Sequence, residues 1–253
     1  MIEEVREHLI NGIIPFWKGL SKYIGEGKDV PAGDLGVGAR EIRYLYEAYK
    51  ECKHNDEEGF ITGKPIELNG SLARKEATGF GLVYFLNEVL KRKKIDNPRV
   101  VVSGSGNVAL YAAKKCQEYG YRVVGISDSK GFVLDDELDI DEIISLKEKD
   151  RGSLSSYSKG EYHEGSIYDH DLKADIVLPC ATQNEINKER ALRLVSNGVK
   201  IVAEGANMPD DNEAIAVYKE NDVVFVPPSM PVVPLPTVML PPLTPTPEKG
   251  ALT

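Results

Sequence analysis

Cysteine is scarce in these 253 residues: Cys52, Cys116 and Cys180 are widely spaced and odd in number. That excludes a disulfide framework as the basis of the fold, and reduced cytosolic thiols are the simple reading. His8, His54, His163 and His170 form no metal motif, so no metal is expected. Basic charge is also short. Lys and Arg number 31 against 40 Asp and Glu, a net charge of −9. A nucleic-acid partner is therefore not expected, because phosphate binding wants a basic field, although basic side chains can still gather around one cofactor phosphate. No apolar run approaches a membrane span, and the first residues lack the basic-then-apolar layout of a secretory signal. The expected location is the cytoplasm, with no membrane partner.

The length suffices for one large or two modest domains with a buried core. Apolar spacing predicts a helix over 3–21, interrupted or restarted at Pro15, and another over 40–52 with Ile42, Leu45, Tyr46 and Tyr49 on one face. A longer apolar helix is expected over about 73–92. Strands are expected near 98–103 and over 122–127, with a helix over 110–119 between them. An acidic helix over 136–148 follows, then a polar, loop-like stretch over 150–171. Short apolar runs at 176–178, 201–203 and 223–226 read as further parallel strands. From Pro227 the density of proline rules out sheet or helix, and an extended or disordered tail is expected. The fold class is α/β: a Rossmann-like doubly wound sheet preceded by a helical remnant of another domain. The expected organisation is 1–66 for that remnant, 67–227 for the dinucleotide-binding domain and 228–253 for the tail.

The most informative stretch is Val101-Val-Ser-Gly104-Ser105-Gly106-Asn107-Val108-Ala109. A G-x-G-x-x-A turn between a strand and a helix is where a dinucleotide pyrophosphate is held. The first glycine allows the bend, the second lets the backbone approach the phosphates, and the helix N-terminus offers free N–H groups. The second strand ends in Ser127-Asp128-Ser129-Lys130. An acid there binds the adenosine ribose 2′-hydroxyl and selects NAD, while hydroxyls beside a lysine can hold a 2′-phosphate and select NADP. This turn alone leaves both open, beside a plain solvated turn. Asp34 stands among glycines and apolar residues, where a shielded carboxyl suits proton transfer and where an Asp also serves as a turn former. Thr182, Asn184 and Asn207 follow expected strands, at the end where ligands lie in open α/β sheets; helix capping is the alternative use of such residues.

Five segments together resemble the glutamate dehydrogenase family of amino-acid dehydrogenases: Asp29 to Ile42, Gly70 to Gly81, Ser103 to Ala109, Leu178 to Glu185 and Ala203 to Pro209. They occur in the family's order from about Phe16 to Pro227 and look like the glutamate branch rather than the leucine or phenylalanine enzymes. The resemblance implies reversible oxidative deamination of L-glutamate to 2-oxoglutarate and ammonium, with hydride passing to a nicotinamide ring. It implies Asp34 as the acid that shuttles protons. Arg74 and Thr78 match positions at the nicotinamide carboxamide, and Ala181, Thr182 and Asn207 match contacts on the nicotinamide side. The Ser127-Asp128-Ser129 turn looks like the NADP-using bacterial members. With Lys147 in the family's phosphate-contact region, NADP is favoured and NAD stays possible. Members form hexamers, largely through a domain of which only the helical remnant is expected here.

The resemblance also carries departures. Family members are much longer. They hold substrate carboxylates with lysines in glycine-rich motifs, and nothing before Phe16 resembles these; neither Lys18 nor Lys22 stands in one. The expectation is an incomplete copy with little turnover, or a catalytically inactive nucleotide-binding fragment or pseudo-subunit. Shifting the frame under Ser229 to Pro234 permits Asn-Ala-Gly-Gly-Ala, close to the family's continuation, which points to a frameshift or misjoined exon. Genomic sequence across the codons for Val226 to Thr253 checks this: a family-like continuation in another frame is expected, and its absence from every frame defeats the idea.

Overall fold

The computed structural model of the chain describes residues 12, 15–33, 37–53, 57–148 and 152–228. Asp34, the Pro-rich stretch from residue 229 and most of the helix expected over 3–21 lie outside these; of that helix, residues 15–20 are helical. The chain divides into two compact units between Arg74 and Lys75.

In the first unit, helix α1 (Ala39–Lys53) buries Ile42 and Tyr49 and half-buries Leu45 and Tyr46, the face expected from their spacing. They pack with Trp17, Ile24, Phe60 and Ile61. Tyr49 stacks on Phe60 at 3.6 Å between ring centroids, and its hydroxyl donates to Glu57 Oε2 at 2.6 Å.

The second unit holds one sheet of β1 (Arg99–Ser103), β2 (Arg122–Ser127), β3 (Gly131–Leu134), β4 (Glu161–Glu164), β5 (Ile176–Pro179), β6 (Ile201–Ala203) and β7 (Val224–Val226). Its helices are α2 (Ala77–Lys93), α3 (Asn107–Glu118), α4 (Ile140–Glu148), α5 (Lys188–Ser196) and α6 (Asn212–Glu220). The strand order is β4-β3-β2-β1-β5-β6-β7. Alternation along β1 explains the layers. Val100 and Val102 join one core with Leu82, Leu86, Leu110, Ala113 and Ile143, residues of α2, α3 and α4. Val101 points to the other core with Ala191, Leu194, Val217 and Tyr218, residues of α5 and α6. Strands buried on both faces need continuous apolar runs, and that is how β1, β2 and β5 read.

Two departures from the expected fold follow from local chemistry. The sheet is mixed: β3 pairs antiparallel with β2, and β4 antiparallel with β3. Thus the stretch 150–171, expected as loop, carries an edge strand and two short 3₁₀ turns. Helix α4 begins at Ile140 rather than 136, because Asp139 accepts the N–H of Glu142 at 3.0 Å and so caps the helix past the start of the acidic run. Similarly α2 begins at Ala77, after a turn over 72–76.

Helices α2 and α3 lie in backbone contact at Gly79. A Cβ there would sit 2.6 Å from both the Val108 carbonyl oxygen and the Ala112 nitrogen. Because backbone cannot yield as a side-chain tip can, Gly79→Val is expected to lose about 1–3 kcal/mol, read as a lowered urea midpoint at unchanged slope.

Candidate functional site

The chain leaves β1 toward β2 on one side and returns to β5 on the other, so the order reverses between β1 and β5. In an open α/β sheet, the crevice at the C-terminal ends of such strands is where a ligand fits. Here its walls are Gly104, after β1, and Ala181, after β5. Gly104 has φ +86°, and an added Cβ would lie 3.0 Å from the Ala181 Cα. Only glycine meets both demands. Two strand-end hydroxyls fix the walls. Ser127 Oγ accepts the Gly104 N–H at 2.9 Å, and Ser103 Oγ accepts the Cys180 N–H at 3.0 Å.

Beyond Gly104 the geometry opens. Gly106 is the N-cap of α3, with extended backbone and no side-chain cap, and an added Cβ there meets nothing within 4 Å. Ser105, Asn107 and Val108 complete the turn, and Ala109 is buried beneath it. The first-turn N–H groups of α3, unclaimed by any cap, form a cradle that suits a phosphate. Thr78 lies half-buried in the first turn of α2, next to the Gly79 contact with Val108, so the two helix N-termini share one side. A residue at 205 larger than glycine would also collide here, 2.5 Å from Cys180 Sγ and 2.9 Å from Leu82 Cδ2.

The loops bearing Thr182 and Asn207 are zipped together. Asn184 N–H donates to the Met208 carbonyl at 3.0 Å, Ile186 N–H to Pro209 at 2.9 Å, and Asp211 N–H to Ile186 at 3.0 Å. Gly205 and Ala206 N–H both donate to the Pro179 carbonyl, at 2.8 and 3.0 Å. Thr182 and Asn207 emerge exposed. Neither is a helix cap, nor is Asn184: α5 is capped by Asn187 and α6 by Asp211. Beneath the first loop Glu185 is largely buried and accepts the Ala181 N–H at 3.2 Å; burial raises its carboxyl against the hydrogen bonds that favour its charge.

Asp128 is where the structure most changes the reading. It closes the β2–β3 hairpin, with Oδ1 accepting Lys130 N–H at 2.9 Å and Gly131 N–H at 3.2 Å. Its Oδ2 accepts Leu154 N–H and Lys147 Nζ, both at 3.0 Å. The carboxylate is 6% exposed and Lys147 16%. Burial opposes its charge, but these donors outweigh it and lower the pKa to about 2. With both oxygens engaged, Asp128 is a structural hub rather than a free acceptor. Lys147 is committed to it and to the Gly152 carbonyl at 3.1 Å. Ser129 and Lys130 are the exposed groups of the turn.

Arg74, the last residue of the first unit, is exposed, and Asp34 lies outside the described residues. Sequence reasoning missed Ser103, Glu185, Glu204 and Asp210, and it read Ser127 as part of the coenzyme turn rather than as the buried acceptor of the Gly104 N–H. A polar residue at the last position of an apolar strand was the available signal for the two serines. Among the described residues no cluster suits a metal ion, and no helix is long and apolar enough to cross a membrane.

Residues 69–230 match the family described as Glutamate/Leucine/Phenylalanine/Valine dehydrogenase, and residues 4–51 its dimerisation domain. The chain is 43% identical over 220 residues to the NAD(P)-specific glutamate dehydrogenase of Xylanibacter ruminicola, covering 84% of this chain and 49% of that protein. It is 44% identical over 217 residues to the NADP-specific glutamate dehydrogenase of Escherichia coli, covering 82% and 48%. The solved structure of Plasmodium falciparum glutamate dehydrogenase superposes with a TM-score of 0.81 at 39% identity, covering 87% of this chain and 49% of that one. The chain thus spans about half the length of the curated relatives it matches.

Asp128 has its pKa lowered from 3.8, so its stabilisation is complete above about pH 4 and lost as pH falls toward 2. Asp128→Asn is expected to be less stable than the parent by about 2–3 kcal/mol near neutral pH, with the gap narrowing toward pH 2. Urea melts at several pH values read this directly.

Proposed function

Because the chain belongs to the Glu/Leu/Phe/Val dehydrogenase family, we propose that it takes part in NADP-dependent, reversible oxidative deamination of L-glutamate to 2-oxoglutarate and ammonium. The observation that carries this reading is the crevice between β1 and β5, where Gly104 and Ala181 leave no room for a side chain and the uncapped α3 N-terminus faces open space at Gly106. A nicotinamide dinucleotide fits that cradle and, when bound, supplies the hydride acceptor.

In this reading Gly104, Ser105, Gly106, Asn107 and Val108 hold the pyrophosphate through backbone N–H groups and the positive end of the α3 dipole. Thr78, Ala181, Thr182 and Asn207 line the nicotinamide end. The resemblance also gives Arg74 as a carboxamide contact, and Asp34 as the acid that holds and returns the proton during imine formation and hydrolysis. Asp128 and Lys147 shape the adenosine end indirectly: the acid is turned inward, so it does not compete for a ribose hydroxyl, and exposed Ser129 and Lys130 suit a 2′-phosphate. That supports NADP, with NAD a weaker alternative. NADP-specific names among similar proteins support the same preference. Assembly into a homo-oligomer fits the match to a dimerisation domain over 4–51, with a hexamer as the proposed state and the cytoplasm as the proposed location.

Calorimetric titration with NADP and NAD tests the site. NADP is expected to bind at least about tenfold more tightly than NAD. Gly106→Val, which places a branched side chain over the phosphate cradle, is expected to abolish binding while leaving the unfolding midpoint nearly unchanged. Binding that survives this substitution sinks the assignment. Glutamate-dependent reduction of NADP, followed by absorbance, tests the reaction itself.

A further inference from the structure

Behind the loop that presents Asn207 lie two carboxyl groups that the proposed chemistry does not use. Glu204 directly follows β6 and is 2% exposed; Asp210 closes the loop and is 4% exposed. Glu204 Oε1 accepts the Asp210 N–H at 3.3 Å, and Asp210 Oδ1 accepts the Tyr218 hydroxyl of α6 at 2.7 Å. Asp210 Oδ2 is buried with no donor to satisfy it. A carboxylate oxygen in that position is costly, but a protonated one is not: it becomes a donor, and Glu204 is the acceptor it faces.

We propose that Asp210 is a positioning residue, held as a neutral acid whose proton is donated to Glu204, and that this shared proton pins the 204–210 loop and hence Asn207 at the nicotinamide end of the crevice. The identity of the ligand at that end rests on the coenzyme reading above; the proton pin does not.

The surroundings on every side are acidic or phenolic. Glu204 faces Asp210 from just beyond β6, Tyr218 from α6, Glu185 from the loop after β5, Tyr168 from the 3₁₀ turn before β5, and Asp211 follows it in the chain. Arg190 of α5 acts on Glu185 and Tyr168 instead, and is itself paired with Asp169 at 2.8 Å. Among the described residues no cation pairs with Asp210. Burial first, then the hydrogen bond to Glu204 and after it the Glu204 charge, therefore push Asp210 up to about 8, against the Tyr218 hydrogen bond that favours its charge. The Tyr218 phenol is raised too, chiefly by burial, so it remains a donor throughout.

Linkage sets the sign. When the loop opens, Asp210 meets water and returns toward its ordinary value of 3.8. Opening then releases a proton, so it becomes easier by about tenfold per pH unit between those two values and levels off above the upper one. Amide hydrogen exchange of the full chain, corrected for intrinsic base catalysis, reads this opening at Ile186, Ala206, Asp210 and Asp211, whose N–H groups make the loop's closing bonds. Between pH 6 and about 8 the opening constant is expected to rise about a hundredfold, then flatten. Asp210→Asn keeps a donor toward Glu204 and an acceptor for Tyr218 but cannot titrate, so its profile is expected to be flat. A flat profile in the parent, or the parent's slope in Asp210→Asn, overturns the pin.

Titration with NADP at pH 7 tests the positioning. Asp210→Ala is expected to weaken NADP at least about tenfold, and Asp210→Asn to restore parental affinity. If Asp210→Ala does not fold, the comparison of Asp210→Asn with the parent stands alone, and a tenfold loss in the Asn variant overturns positioning. Undiminished binding in a folded Asp210→Ala overturns it as well. If NADP binds not even the parent, the coenzyme reading falls and takes the ligand assignment with it, while the exchange profile still decides the shared proton.

Discussion

Two serine hydroxyls at the ends of adjacent strands hold the site together. A parallel sheet satisfies its backbone along the strands but not where the chain turns out of them, and those turns are where a ligand must lie. Ser127 accepts the Gly104 N–H and Ser103 accepts the Cys180 N–H, so each strand's last side chain secures its neighbour's exit. The crevice between Gly104 and Ala181 has its width because of these bonds. Everything else at the site hangs from one of those two exits: the α3 cradle from the first, the Thr182 loop from the second, and the Asn207 loop through its backbone bonds to Pro179.

The β1–α3–β2 unit was legible because its chemistry is local. Alternating buried valines, a glycine that must adopt positive φ and a helix of small apolar residues all sit within one stretch of chain. The α1 face was legible for the same reason. What escaped depends on residues that meet only in space. The polar run 150–171 has no period, yet it supplies the Leu154 N–H to Asp128 and the edge strand β4. The inward turn of Asp128 could not be read from Ser-Asp-Ser-Lys, because a solvent-facing and a buried carboxylate share that spelling. Glu204 and Asp210 were missed on a similar ground: acids are ordinarily surface residues, and only their burial against Tyr218 marks them otherwise.

The two buried acid systems of the second unit solve the same electrostatic problem differently. Asp128 keeps its charge because two backbone N–H groups on one oxygen, and a backbone N–H with an ammonium on the other, replace the water it has lost. Asp210 has a single hydroxyl donor and a neighbouring acid, and its balance tips toward protonation. One lies under the β2–β3 turn and the other behind the loop that presents Asn207.

The hairpin at Asp128 also separates two duties that many binding turns combine. The buried carboxylate bears the fold, while Ser129 and Lys130 bear only what solvent or a ligand brings to them. Substitutions at the two exposed positions therefore cost the sheet little, and the acid beneath them is not free to vary. On the proposed coenzyme reading, preference in such a turn is open to change by single steps, each leaving a folded protein behind it. A turn whose acid served both duties would have to cross an unstable intermediate to make the same change.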